Sequence, residues 1–266
     1  MLYNLSNTYL PIDWPKGPQI DTNAKILFMG SCFAERIGFQ LANENTRIEV
    51  NPLGIMYNPI TLNRNLVFNT QINESDIISV PDKGFCHWDF HGKFRANSRE
   101  LLIQKLNQEI QQTKQILNKI DYLFLTWGNA WSWTLIEHER LVGNCHKQAQ
   151  QNFRRSLLEL DQIIEDAKNT FSQLKRQNPN LKIIVTISPV RHLKKKAVED
   201  RWGKSTLSLA VHHLLKNEIL DFYFPAYEIM VDQLRDYQFY KKDRIQPNDK
   251  AVRVIYEFFK KWTQLQ

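Results

Sequence analysis

Ser31 is the first residue in this chain whose type and position could carry chemistry. The mostly apolar residues 25–29 lead into Gly30-Ser31, and a helical pattern follows at once. A serine in such a turn lies at the carboxyl edge of a parallel sheet, beside the free N–H groups and positive dipole end of a helix. Ligands of open α/β sheets bind at that edge. Ser31 is therefore a candidate nucleophile, and the alternative interpretation is an ordinary helix N-cap.

A serine nucleophile needs partners around it. These are a base within hydrogen-bond reach, a group that orients the base and donors for the oxyanion. Because the carboxyl ends of parallel strands meet at one edge of a sheet, the loops after the predicted strands are where such partners would lie.

The elements that would position these groups alternate along the chain. Apolar, β-branched and aromatic runs predict five strands, at 25–29, 47–50, 122–127, 182–187 and 222–225. Apolar residues at helical spacing predict helices at 33–44, 59–68, 99–117, 151–175, 204–219 and from 249 onward. This alternation predicts an α/β fold in three layers, α/β/α, around a five-stranded parallel sheet.

The remaining segments are expected to elaborate the fold at the carboxyl edge. Residues 71–96 look irregular, with 86–92 as a small hairpin or an ordered loop, and 131–136 is predicted to pair with 141–142. Three prolines within residues 1–23 indicate an extended N-terminal arm. Since no repeat or low-complexity linker interrupts the sequence, residues 1–266 are predicted to form one domain.

Composition and charge narrow the classes of function. The net charge is +7, but the basic residues form short scattered clusters, so nucleic-acid binding is not predicted. Three widely spaced cysteines fit a reducing compartment. The sequence shows neither a signal-peptide pattern nor an apolar run of ~20 residues, which predicts a cytoplasmic protein without a membrane span. Dinucleotide-binding and P-loop patterns are not found after any predicted strand.

The serine motif resembles the signature of a known family. Residues 30–34 read Gly-Ser-Cys-Phe-Ala, which is letter for letter the signature of the GSCFA family, and that family looks like a branch of the SGNH/GDSL hydrolase-like α/β proteins. Stretches similar to further family motifs follow in order, at 51–59, 127–131, 144–147, 188–192 and 239–247. The resemblance implies an SGNH/flavodoxin-like sheet with a serine hydrolase site.

The resemblance also implies roles for individual residues. Ser31 matches the serine nucleophile, and the backbone N–H groups of Ser31 and Gly54 match oxyanion-hole donors. Asp243 matches the aspartate of an Asp-x-x-His-Pro block, but Gln246 stands at the histidine position here. Glutamine cannot take up a proton near neutral pH, so it cannot be a general base. Loss of a triad member lowers turnover by factors on the order of 10⁴–10⁶.

The block that would supply a side-chain oxyanion donor also departs from the wider pattern. SGNH enzymes have Gly-x-Asn-Asp there, whereas Asn129 directly follows Gly128 and Ala130 stands at the expected position. Asn129 is therefore a candidate donor that lies one residue early.

Three histidines are candidates near this edge. His192 follows the predicted strand at 182–187 and is the best substitute base by position, while His91 and His146 lie in the elaborated loops. The structural alternative for each is a histidine that is satisfied within a loop or on the surface. No HxxxH-type spacing predicts a metal site, and acyl transfer through a serine needs no cofactor.

Tyrosines follow the last predicted strand as well, at positions 227, 237 and 240. We expect them to pack in the core and loops, and the alternative is a cleft for a sugar or an acyl chain.

Two functions from different classes follow. The first is a serine hydrolase that acts on acyl esters, such as O-acetyl groups on a carbohydrate or small alcohol, through an acyl-enzyme on Ser31. Transfer of the acyl group to a second alcohol is a variant of it. The alternative is a binding protein of the same fold that has lost turnover because Gln246 replaces the base. The substrate class is an analogy with the family.

Overall fold

A parallel sheet forms the centre of the protein, in a computed structural model that describes residues 12–44, 47–67, 72–191 and 196–265. Within these ranges the strands are β1 (Ile26–Gly30), β2 (Ile48–Val50), β3 (Ile77–Val80), β4 (Gly84–His87), β5 (Tyr122–Trp127), β6 (Trp131–Leu135), β7 (Arg140–Val142), β8 (Phe153–Leu157), β9 (Lys182–Ile187) and β10 (Phe222–Phe224). The α-helices are α1 (Cys32–Ala42), α2 (Pro59–Val67), α3 (Arg99–Leu117), α4 (Leu160–Gln177), α5 (Ala197–Lys216), the single turn α6 (Ala226–Glu228) and α7 (Asp249–Thr263).

The central sheet has the strand order β10-β9-β5-β1-β2, and each neighbouring pair is parallel. The strands β1, β5 and β9 in its middle are buried along nearly their whole length. Their sequences are continuous apolar runs because helices cover both faces of the sheet. The predicted α/β fold with a five-stranded parallel sheet is therefore confirmed.

Alternate residues of each strand face two separate cores. On β1, Leu27 and Met29 pack with α2, α3, α4 and α5, whereas Ile26 and Phe28 pack with α1 and α7. This alternation follows from the two-residue period of a strand, and it produces the three predicted layers.

The prediction of one helix was wrong for its first residues. The prediction ran from 151 to 175, but Phe153–Leu157 form β8, which pairs antiparallel with β6, and α4 begins at Leu160. Phe153 and Leu157 lie four residues apart, a spacing that also fits a helix. The pairing with β6 decides the structure here, since tertiary contacts override local periodicity.

Two small antiparallel sheets lie in the elaborated segments. The strands β3 and β4 form a hairpin within the segment that was expected to be irregular, and β6 pairs with β7 as predicted. The sheet β7-β6-β8 contacts the first turn of α5, which starts earlier than the predicted residue 204.

A clamp of three side chains makes this contact between the small sheet and α5. Arg155 Nη1 donates to Glu199 Oε2 (2.6 Å), and Trp131 Nε1 donates to the Glu199 carbonyl oxygen (2.8 Å). The Arg155 guanidinium also lies 3.9 Å from the centre of the Trp131 ring. Glu199 of α5 is thus held by one residue of β8 and one of β6.

The described part of the N-terminal arm, residues 12–23, lies against α7. The Ile20 N–H donates to the Thr263 carbonyl oxygen (3.0 Å), and Trp262 Nε1 donates to the Pro15 carbonyl oxygen (2.7 Å). Residues 1–11 of the predicted arm lie outside the described residues. In the part of the chain that the structure describes, every helix is too short or too polar to cross a bilayer.

Candidate functional site

Ser31 is the N-cap of α1 at the carboxyl end of β1. Its Oγ accepts a hydrogen bond from the Phe33 N–H (3.3 Å), and its own N–H donates to the Thr126 carbonyl oxygen (3.2 Å). The residue is fully buried (0% exposed). The capping bond uses the hydroxyl oxygen as an acceptor and leaves the O–H as a donor. The N-cap arrangement is therefore present, and it is compatible with a nucleophile whose proton passes to a base.

A glycine in the left-handed half of backbone space brings Ser31 to this position. Gly30 has φ +127°, and a Cβ there would overlap the carbonyl oxygen of Thr126. The Gly30 N–H donates to Asn51 Oδ1 (2.8 Å), and its carbonyl oxygen accepts from the Met56 N–H (2.9 Å). The loop after β2 thus holds the turn after β1.

The second amide that was expected to bind an oxyanion is engaged within that loop. The Gly54 N–H donates to the Asn51 carbonyl oxygen (2.8 Å), which also accepts from Lys93 Nζ (3.1 Å). The Ser31 N–H is likewise bonded to Thr126. Both backbone amides thus donate to carbonyl oxygens of the protein, and an oxyanion would have to displace those bonds.

The loop after β5 packs directly against Ser31. The Gly128 and Asn129 N–H groups both donate to the Tyr57 carbonyl oxygen (2.7 and 3.0 Å), and a Cβ built on Gly128 would lie 3.4 Å from Ser31 Cβ. Asn129 Oδ1 accepts from the Trp131 N–H (3.1 Å), while Asn129 Nδ2 donates to none of the described residues. Asn129 thus keeps a side-chain donor in the loop that packs on Ser31, and its Oδ1 lies against Gly203 of α5.

Lys204, which the sequence reasoning did not single out, lies at the same edge. Its Nζ donates to the Gly128 carbonyl oxygen (2.8 Å) and to the Ser188 carbonyl oxygen (2.6 Å), so it bridges the ends of β5 and β9. The side chain is 1% exposed. Burial lowers the pKa of this lysine to about 7, and the charges of Asp200 and Glu228 act in the opposite direction.

A sequence signal for Lys204 exists. It lies three residues before Leu207 and seven before Val211, both of which are on the buried face of α5. A lysine within such an apolar stripe must either extend to solvent or find buried acceptors. The predicted helix began at residue 204, so the residue was treated as a helix end.

The Asp243–Gln246 segment forms an exposed turn at the carboxyl edge. Asp243 Oδ1 accepts from the Ile245 and Gln246 N–H groups (2.9 and 3.1 Å), and Gln246 Oε1 accepts from Lys241 Nζ (3.2 Å). The Arg191 N–H donates to the Ile245 carbonyl oxygen (3.0 Å), which ties the turn to the loop after β9. The structure thus places both residues at the predicted edge, with Gln246 bound to a cation.

The same cation lies near the first residue of α1. Burial raises the pKa of the Cys32 thiol, and the Lys241 ammonium is among the charges that lower it. Because Cys32 directly follows Ser31, Lys241 and its partner Gln246 belong to the same neighbourhood as the candidate nucleophile.

His91 packs on the loop after β2. A Cβ on Gly54, where φ is +82°, would overlap His91 Cβ, and His91 Nδ1 accepts from the Lys93 N–H (3.3 Å). Burial lowers the pKa of His91, as does the nearby Lys93. His91 therefore lies beside one predicted oxyanion donor as a neutral imidazole near pH 7.

His146 is buried and fixed by the backbone of β4. Its Nε2 donates to the His87 carbonyl oxygen (2.8 Å), and burial lowers its pKa. His192 lies outside the described residues. In the described ranges no imidazole hydrogen-bonds to Ser31 Oγ, and no three His, Cys, Asp or Glu side chains are grouped as metal ligands.

Comparison with known proteins identifies the family. No curated protein matches the chain. The model of the GSCFA family matches residues 25–259, a span that includes Ser31, Gly54, Asn129 and the Asp243–Gln246 turn. Because this match covers well over half of the sequence, the chain belongs to the GSCFA family.

Proposed function

We propose that this chain is an SGNH-type serine hydrolase that acts on acyl esters through Ser31. The observation that supports the proposal is the position of Ser31 at the carboxyl edge, packed between the loop after β2 and Gly128. Asn129 follows Gly128 in the same loop, and its side-chain amide N–H groups donate to none of the described residues. Ligands and catalytic groups of open α/β sheets collect at that edge.

The reaction would proceed in two balanced steps. Ser31 Oγ attacks the ester carbonyl carbon while its proton passes to a base, and the bond from that carbon to the alcohol oxygen breaks. The alcohol leaves with the proton, and the acyl group stays on Ser31. Water, or a second alcohol, then attacks the acyl carbon and gives its proton to the base, and the bond from that carbon to Ser31 Oγ breaks. The acyl group leaves as a carboxylic acid or a new ester, and the base returns the proton to Oγ. The substrate class is an O-acyl group on a carbohydrate or another small alcohol.

The base in this proposal is His192. It directly follows Arg191, which is bonded to the Asp243–Gln246 turn through Ile245. Asp243 would orient the base, and Asn129 Nδ2 would donate to the oxyanion in place of the engaged backbone amides. Substrate must also displace the groups that cover Ser31, because the residue is fully buried.

A second candidate function is ligand binding without turnover. Gln246 favours it, since glutamine cannot accept a proton and its Oε1 is already bound to Lys241 (3.2 Å). The complete burial of Ser31 points the same way.

Hydrolysis of an aryl acetate by five proteins separates the two candidates. Three of them are the unmodified chain, Ser31→Ala and Gln246→His, and the fourth combines Ser31→Ala with Gln246→His. The fifth is the control Ser98→Ala, which removes the N-cap of α3 as Ser31→Ala removes that of α1. We expect Ser31→Ala to abolish turnover and Ser98→Ala to preserve it. Gln246→His should raise turnover by at least about 10²-fold if the base position is otherwise intact.

The outcomes are distinct. Activity of the unmodified chain that only Ser31→Ala removes excludes the binding-only function. Activity that appears only in Gln246→His, and disappears when Ser31→Ala is added, supports a binding protein built on an intact hydrolase site. If neither the unmodified chain nor Gln246→His hydrolyses the aryl acetate, acyl transfer itself is contradicted.

A further inference from the structure

A cavity of about 350 Å³ lies at the carboxyl ends of β9 and β10, beside the first turn of α5. Three arginines and three tyrosines contribute to its wall: Arg191, Arg201, Arg235, Tyr227, Tyr237 and Tyr240. The volume is in the range of small-molecule sites. The tyrosines were expected to pack in the core and loops, with a cleft as the alternative. Tyr227 and Tyr240 do pack against the core, and all three tyrosines also border the cavity.

The arginines of this cavity differ from other arginines of the protein. Arg64, Arg140 and Arg155 each pair with a carboxylate at 2.6–3.0 Å. In the described ranges, no salt bridge engages the guanidinium groups of the three cavity arginines. A wall with several unpaired guanidinium groups is suited to an anion, because arginine binds carboxylate and phosphate in a bidentate manner.

The positive charges converge on the tyrosine hydroxyls. Burial raises the pKa of Tyr227, and Arg201 and Arg191 both act to lower it. Burial likewise raises the pKa of Tyr240, and Arg191 lowers it. Two guanidinium groups are thus close enough to the Tyr227 hydroxyl for their charge to act on it.

The two acidic residues of the wall offset these charges only in part. Asp236 Oδ1 accepts from the Gln238 N–H (3.0 Å), and its Oδ2 accepts from Gln238 Nε2 (2.8 Å), so this carboxylate caps its own turn. Asp200 is 7% exposed, and its charge acts on buried Lys204 one helical turn later. The same charge raises the pKa of Tyr227 and of Tyr240, against the effect of the arginines. Three guanidinium groups thus face two carboxylates, of which one caps its own turn, so the wall keeps an excess of positive charge.

The cavity is also connected to the serine. Lys204 Nζ lies 5.5 Å from the centre of the Tyr227 ring and donates to the carbonyl oxygen of Gly128, which packs on Ser31. One buried side chain thus separates the cavity wall from the candidate nucleophile's loop.

We infer that this cavity binds a sugar that carries one anionic group, with the arginines on the anion and the tyrosine rings against the sugar. Binding itself requires no chemistry at Ser31. Only the use of the cavity as a substrate subsite depends on the proposed hydrolase function.

Calorimetric titration of the full chain tests the inference. The probes are glucuronate, glucose 6-phosphate, inorganic phosphate and glucose, which separate a carboxylate, a sugar phosphate, a bare anion and a neutral sugar. We expect at least one of the two anionic sugars to bind more tightly than both glucose and inorganic phosphate. Arg201→Gln should weaken that binding at least about tenfold, and so should Arg191→Gln.

The matched control is Arg154→Gln, an exposed arginine of β8 that pairs with Glu139 away from the cavity. It should leave the affinity unchanged. Equal affinity of Arg201→Gln and the unmodified chain would overturn the inference, and so would glucose that binds as tightly as glucuronate and glucose 6-phosphate. Binding without aryl acetate turnover supports this site and contradicts only the hydrolase. Aryl acetate turnover without binding of either anionic sugar supports the hydrolase and contradicts the anionic-sugar site.

Discussion

The two halves of the carboxyl edge are built in opposite ways. At β1, β2 and β5 the loops are closed: Ser31 is fully buried, and the amides of Ser31, Gly54 and Gly128 all donate to nearby carbonyl oxygens. At β9 and β10 the wall is open and charged, with Tyr237 61% exposed beside arginines that form no salt bridge with any described carboxylate. The half with the recognisable motif buries its serine, although a cavity of about 740 Å³ borders its loop after β2.

The two halves therefore differ in the role that each could have: one holds the candidate nucleophile, and the other holds the cavity that could bind a ligand. A fully hydrogen-bonded turn holds a serine in one geometry, but it offers no surface to a substrate. A cavity with unpaired cations offers affinity, but it holds no nucleophile. Lys204 is the side chain that joins them, because its ammonium donates to a carbonyl oxygen on each side. Three changes test how far the halves are distinct.

The largest effect is expected at the turn before the serine. Gly30→Ala forces a Cβ into the Thr126 carbonyl at a φ that alanine rarely adopts, so it should lower the free energy of unfolding by at least about 3 kcal/mol. Urea denaturation measures the loss. Gly92→Ala is the control, since its Cβ would meet its nearest neighbour, His146 Nδ1, at 3.9 Å. Equal stability of the two variants would show that the closed half tolerates rearrangement.

The next effect concerns Lys204 and pH. Its folded-state pKa is about 7, below that of an unfolded lysine, so between these values the unfolded state binds a proton that the folded state has released. Stability should therefore rise as pH increases above 7. This one group contributes about 2 kcal/mol between pH 7.5 and 9.

Lys204→Met should remove that increment, and Lys216→Met on the exposed face of the same helix should preserve it. Chemical denaturation at several pH values gives the slopes. A slope unchanged in Lys204→Met would mean that the two carbonyl oxygens keep the ammonium charged throughout the range.

The smallest expected effect is the loss of stability when an N-cap serine is replaced by alanine. Ser31→Ala and Ser98→Ala each remove one N-cap acceptor, at 3.3 and 3.2 Å from the amide nitrogen, so each should cost about 1 kcal/mol of stability. Thermal or urea unfolding measures both. A clearly larger loss for Ser31→Ala would show that the buried hydroxyl makes a further structural contribution in the closed half.

The fold could be predicted because its strands are unambiguous. Residues 122–127 and 182–187 are buried on both faces, so their composition alone marks them as strands. Ser98 and Asn248 cap their helices as their types indicate. The segment 153–157 was predicted incorrectly because its conformation depends on β6, which is distant in sequence.

The sequence predicts where the candidate site lies in the fold, but not which hydrogen bonds its residues form. The position of Ser31 follows from the strand and helix around it. The bond from Gly30 to Asn51 depends on how two loops meet, and so does the bridge from Lys204 to Gly128 and Ser188. No local sequence pattern indicates contacts between loops that are distant in sequence. For the same reason, the hydrogen bonds that the Ser31 and Gly54 amides donate could not be predicted.

The clamp on Glu199 gives the small sheet mechanical control over the cavity. Arg155 of β8 and Trp131 of β6 hold Glu199, and the next two residues of α5 are Asp200 and Arg201 of the cavity wall. The position of the first turn of α5, and with it the cavity wall, therefore depends on contacts with the small sheet. Substitutions of Trp131 or Arg155 would thus change the support of Asp200 and Arg201 from outside the central sheet.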